Sequence, residues 1–161
     1  WKRINEMILR MNSESDILKA LNTFLTDIEG LVPYEKACIY FYDLSAPEIV
    51  KDYIGQGFSE KELIDYERYY CNIDDVVEKM MPNKEVVIKS SEAFDINKRK
   101  ETEYFIDYVT PAKTKVSLDT NFRWNMENRG FCIGSLDLFR NEKDVDFSEE
   151  KSRSAGYSSL T

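Results

Sequence analysis

The chain has 161 residues, 42% apolar and 13% aromatic, with a formal net charge of −8 and no histidine. The length sets the expectation of one domain with one core, and the acidic balance opposes binding of a phosphate backbone by this chain itself. The lack of histidine removes Ser-His and Cys-His nucleophilic pairs, His-ligated haem and His-containing zinc sites.

Cys38, Cys71 and Cys132 are odd in number and widely spaced. They form neither a disulfide framework nor a zinc motif, and they fit a reduced, cytoplasmic setting. No run of 18 apolar residues is present to span a membrane, so no membrane partner is expected.

In chain order, Ile4, Met7, Ile8 and Met11 share one helical face. "SESD" at Ser13–Asp16 matches a Ser-x-x-acid cap for a second helix, whose stripe is Ile17, Leu18, Leu21, Phe24, Leu25 and Ile28. Gly30 is placed to end that helix, and Pro33 blocks its continuation. "KACIYFYDL" alternates with both faces largely apolar, which predicts a strand covered on both sides. "SAP" is turn chemistry, and "EIVKDYIG" is a second strand joined to the first as a hairpin.

"FSEKELIDYERYY" predicts a helix with Ser59 as N-cap and Glu62 as its capping-box partner. "NIDDVVEKMM" is a short helical piece stopped by Pro82, and the lysines of "KEVVIKS" suit an edge strand. "INKRKETEYFIDYV" reads as one charged helix with Phe105, Tyr108 and Val109 turned inward. "TKVSLDTNF" and "GFCIGSLDLF" are two further strands, with "ENRG" as the turn between them. After Phe147, "SEE" opens a closing helix that the polar "KSRSAGYSSLT" does not continue. Strands joined by hairpins, with the helices gathered into a long crossover, predict an α+β fold with an antiparallel sheet.

Three segments of this pattern carry a resemblance. "ILKALNTFLTDIEGLVPYEKACIYFYDL" leads a helix into the first strand, and "GFCIGSLDLFRNEKDVDFSEE" ends an apolar strand at "LFR" before a Phe-Ser-acid helix entry. With these, the stretch from about Asp16 to Glu150 resembles the GAF family, small-molecule sensor domains of cytoplasmic signalling proteins. Between them, "DYERYYCNIDDV" and "ETEYFIDYVTPAKTKVSL" resemble the sensor half of LuxR-type transcriptional regulators, in which a helix-turn-helix DNA-binding domain follows the sensor. The resemblance implies a GAF-like (profilin/PAS-like) antiparallel sheet with helices on its faces. It also implies a sensor domain over residues 1–150, and a tail or partial closing helix over 151–161 leading to an output domain outside this chain. DNA is then contacted only through that domain.

The resemblance further implies a pocket between the sheet and the crossover helices. Its expected lining is Tyr40, Tyr42, Tyr66, Tyr69, Tyr70 and Cys71, with Phe94, Tyr108 and Trp124 as further candidates; the alternative is that these rings are ordinary core. The ligand is an unknown small molecule, and no cofactor or metal is expected. A cyclic nucleotide is disfavoured because the "NKFDE" signature is missing, and a bilin because Cys71 has no histidine beside it. Asp74 with Asp75, and Asp144 with Asp146, lack an EF-hand-like loop and are read as solvated.

The expected function is non-enzymatic sensing in a transcription regulator. The alternatives are a ligand-free dimerisation module and a thiol-dependent free methionine sulfoxide reductase, the latter resting on Cys71. A homodimer is expected through Ile4, Met7, Ile8 and Met11.

Overall fold

A computed structural model describes residues 1–43, 50–80, 85–126, 129–141 and 146–147, the side chains of 124–126 and 129–131 excepted. The hairpin turn at Glu127–Asn128, the "SAP" turn, Asp144 and the closing helix expected from Ser148 lie outside the described residues. Helices α1 (Lys2–Ser13) and α2 (Ile17–Glu29) open the chain. Strands β1 (Lys36–Tyr42), β2 (Val50–Gln56), β3 (Val87–Lys89), β4 (Val116–Met126) and β5 (Arg129–Arg140) form one antiparallel sheet in the order β2-β1-β5-β4-β3.

The crossover from β2 to β3 carries α3 (Glu60–Arg68), a 3₁₀ turn at Tyr70–Asn72 and α4 (Asp75–Met80). Between β3 and β4 lie α5 (Ser90–Ala93), α6 (Ile96–Arg99), a π-helical turn at Tyr104–Val109 and α7 (Thr110–Ala112). The architecture is the expected α+β one, an antiparallel sheet with helices on its faces.

Strand alternation sorts the sheet into two unlike faces. On one, Ala37, Ile39, Leu136 and Leu138 pack with Leu25 of α2, and Leu21, Phe24 and Ile28 border them. This is an aliphatic core, and Leu25 and Ile39 are fully buried, each contributing about 1.5–3 kcal/mol by burial alone. On the other face, Cys38, Tyr40 and Tyr42 meet Tyr66 of α3 and Tyr104, Phe105, Tyr108 and Val109 of the π turn. The site lies on this second, aromatic face.

Local chemistry accounts for the element ends. Ser59 and Glu62 form the expected capping box, Ser59 N–H donating to Glu62 Oε2 at 2.7 Å and Glu62 N–H to Ser59 Oγ at 3.3 Å. The cap of α2 differs from expectation. Asp16 fills it, accepting from the N–H groups of Leu18 and Lys19, while Ser13 is the last residue of α1 and its hydroxyl returns to the Arg10 carbonyl. A carboxylate one residue before the helix reaches both free N–H groups at once, which Ser13 cannot do.

The expected single helix over residues 96–109 is also broken. Arg99 turns inward to Asp75, and the chain re-enters helical geometry only at the π turn. Gly134 fixes the contact of β5 with β1, since a Cβ there would lie 2.2 Å from the Tyr40 carbonyl oxygen.

Candidate functional site

The cavity between the sheet and the crossover is built from two walls. From the sheet come Tyr40, Asp119, Asp137 and Ser117; from the helical side come Tyr66, Tyr104, Tyr108 and Asp74. The free space is about 20 Å³, close to what one water molecule occupies. The rings form a continuous cluster. Tyr40 and Tyr66 have centroids 4.9 Å apart, Tyr66 and Tyr108 5.5 Å, and Tyr104 stacks on Tyr108 at 5.7 Å with an interplanar angle of 12°.

Asp74 is the centre of the polar network on the helical side. It precedes α4, and its Oδ1 accepts from the Val76 N–H at 2.9 Å, as an N-cap does. Its Oδ2 accepts from Tyr66 Oη at 2.8 Å and from Tyr104 Oη at 2.9 Å. Burial pushes its carboxyl above the usual range, against these donors and the nearby Arg99. Burial also holds the Tyr66 and Tyr104 hydroxyls well above their usual range, so both remain donors. Asp75 pairs with Arg99, whose Nε and Nη2 lie 3.0 and 2.8 Å from Asp75 Oδ1. The reading of Asp74 and Asp75 as a solvated pair is therefore corrected: Tyr104 and Arg99 cover them from 24 to 30 residues away in sequence.

The sheet side repeats one motif. Ser117 Oγ donates to Asp119 Oδ2 at 2.7 Å, and Ser135 Oγ donates to Asp137 Oδ2 at 3.0 Å. Tyr42 Oη lies 2.9 Å from Ser135 Oγ. Asp119 and Asp137 are direct partners across the β4–β5 ladder. Both carboxyls are pushed up by burial, Asp137 further by Asp119 facing it.

Of the residues expected to form a pocket, Tyr40, Tyr66 and Tyr108 line the cavity. Tyr42, Tyr70 and Cys71 belong to the same aromatic cluster without lining it. Tyr69 is exposed and donates to Glu103 at 2.6 Å. Phe94 packs beside Val76, Met80 and Ile88, and the Lys79 and Arg99 cations lie over its ring. Trp124 lies in β4, and its side chain is outside the described residues. Sequence reasoning passed over Tyr104, Asp119 and Asp137, and read Asp74 as solvated.

The cysteines are all free and buried, and burial raises each thiol above its ordinary range. Among the described residues, no group of three or more His, Cys, Asp or Glu is placed to hold a metal ion, and no helix is long and apolar enough to cross a membrane.

No family model and no curated protein sequence matches this chain. Solved structures do. The N-acylhomoserine lactone dependent LuxR family transcription factor CepR2 of Burkholderia cenocepacia superposes with a TM-score of 0.65 at 11% identity, over 94% of this chain and 84% of that one. The far-red absorbing dark state of JSC1_58120g3 with bound biliverdin IXα gives 0.54 at 18% identity, over 94% of this chain and 89% of that one. The nlh2 GAF domain of A. Aeolicus gives 0.48 at 11% identity, over 97% and 85%. At these identities the likeness is one of fold.

Proposed function

We propose that this chain is a small-molecule-sensing domain of a cytoplasmic transcription regulator, acting on a DNA-binding domain outside the chain. The observation that carries this reading is the buried polar network of Tyr66, Asp74 and Tyr104 inside the aromatic cavity. Capping α4 does not require the two tyrosine hydroxyls on the second oxygen of Asp74, whereas a binding site uses polar groups within an apolar pocket to orient a ligand. The fold shared with a lactone-dependent regulator and a biliverdin-bound protein supports it. A ligand acts by binding one arrangement of the helical wall more tightly than another. The buried thiols give no support to a reductase, which needs an accessible thiolate.

The test is a fragment screen by NMR on the isotopically labelled chain. Fragments are expected to shift the amides of Tyr66, Asp74, Tyr104 and Tyr108; a screen in which every binder maps elsewhere, or none binds, refutes the reading. The narrowness of the cavity favours a second reading, a dimerisation module that takes no ligand. The proposed dimer contact is the outer face of α1. Ile4 and Ile8 are exposed there, Met11 is half-buried, and Met7 is already covered within the chain. Ile8→Asp is expected to convert a dimer to a folded monomer in sedimentation, and a persisting dimer refutes that contact.

A further inference from the structure

The sheet wall of the cavity is acidic for a buried surface. Asp119 is 2% exposed and Asp137 8%, and they face each other directly across β4 and β5. Asp137 Oδ1 is buried with no hydrogen-bond partner among the described residues, and so is Tyr108 Oη on the helical wall. Both residues line the cavity. Asp74 adds a carboxylate from the segment before α4. Arg99, the cation lining the cavity, directs its Nε and Nη2 at Asp75.

These features select a ligand by chemistry. Carboxylates repel phosphates and carboxylates, while the unpartnered Tyr108 Oη can donate to a carbonyl oxygen or accept from an N–H group. A group that is small, cationic and rich in N–H donors meets both needs of the site. It supplies the hydrogen bond that Asp137 Oδ1 lacks, and its charge is attracted by the surrounding ring faces as well as by the carboxylates.

We propose that Asp119 and Asp137 form a subsite for a protonated amine, and that the small molecule of this cavity is a cationic amine whose ammonium group donates to Asp137 Oδ1. This rests on the small-molecule reading above. The free space of about 20 Å³ suits an ammonium group, which is about the size of a water molecule. Two facing buried carboxylates cannot both ionise cheaply, so one retains its proton in the absence of a cation. An arriving ammonium replaces that proton, so binding releases protons.

The experiment is calorimetric titration of the 161-residue chain with butylammonium chloride at neutral pH, in buffers of different ionisation enthalpy, with butanol as the neutral isostere. Saturable binding with proton release is expected, with butanol weaker by about tenfold or more, the order of one charge-assisted hydrogen bond. Asp137→Asn and Asp119→Asn are each expected to weaken butylammonium by a similar factor while circular dichroism shows the fold retained. Equal binding of butanol, no binding of butylammonium, or unchanged affinity in both variants overturns the assignment. If N-octanoyl-homoserine lactone or a neutral fragment perturbs the cavity amides while butylammonium does not, the amine assignment fails and the sensing reading stands. If no fragment reaches the cavity, both fail.

Discussion

Replacing Asp119 by Asn removes one of two carboxylates that face each other in the β4–β5 ladder and puts an amide N–H donor opposite the unpartnered Asp137 Oδ1. Burial raises the native carboxyl of Asp119, and burial together with Asp119 raises that of Asp137. In the unfolded chain both ionise near pH 3.9. Above that pH the native protein therefore binds more protons than the unfolded one, and stability falls as pH rises until the native groups ionise too. Each extra retained proton costs about 1.4 kcal/mol per pH unit, or about 2.7 kcal/mol between pH 5 and 7. Asp74, also raised by burial, adds to the slope in both proteins, Arg99 offsets part of it, and the Ser117 and Ser135 hydroxyls favour the ionised forms. Asp119→Asn is expected to be more stable than wild type by about 2 kcal/mol at pH 7, with a flatter pH dependence and little difference at pH 4. Urea unfolding at pH 4, 5, 6 and 7 reads this directly. A variant less stable than wild type at pH 7, or one with the same slope, refutes the argument from the raised carboxyls.

Tyr104→Phe removes one of two tyrosine donors to Asp74 Oδ2 and leaves that half-buried carboxylate oxygen with Tyr66 alone. The expected cost is about 1.5–3 kcal/mol in urea unfolding, as for a hydrogen bond to a charged group, and a smaller loss would mean that Asp74 is protonated in the native protein. Gly134→Ala places a methyl 2.2 Å from the Tyr40 carbonyl, where backbone rather than a flexible side chain must give way. It is expected to cost about 3 kcal/mol or more, and hydrogen exchange should show the loss concentrated in the β1–β5 amides.

The fold was legible where one residue's neighbours in sequence decide its environment. "KACIYFY" announces a strand covered on both sides because both alternating sets are apolar, and β1 is buried along nearly its whole length. The Ser59 capping box and Lys89 of the edge strand β3 are equally local signals. The site was only half legible. Tyr40, Tyr66 and Tyr108 are conspicuous as large rings, but Asp74 is made a buried acceptor by Tyr104, 30 residues further on. No spacing rule joins them, and a pair of acids beside a short helix is normally solvated.

The acidic wall did leave a sign in the sequence. "SLD" occurs at Ser117–Asp119 and again at Ser135–Asp137. Alternation puts serine and aspartate on one face of each strand and leucine on the other, and Leu136 does lie in the aliphatic core. A strand with a solvated polar face would read the same way, so the motif alone does not separate the two cases. Register does. It places Asp119 against Asp137 in the middle of a five-stranded sheet, with β5 between β1 and β4 and the helical wall above. Like charges directly opposite each other destabilise a sheet even at its surface, and here they are also desolvated. Leucine or asparagine at either position would relieve that cost, so packing does not account for the pair. A retained proton, or the cation proposed above, does.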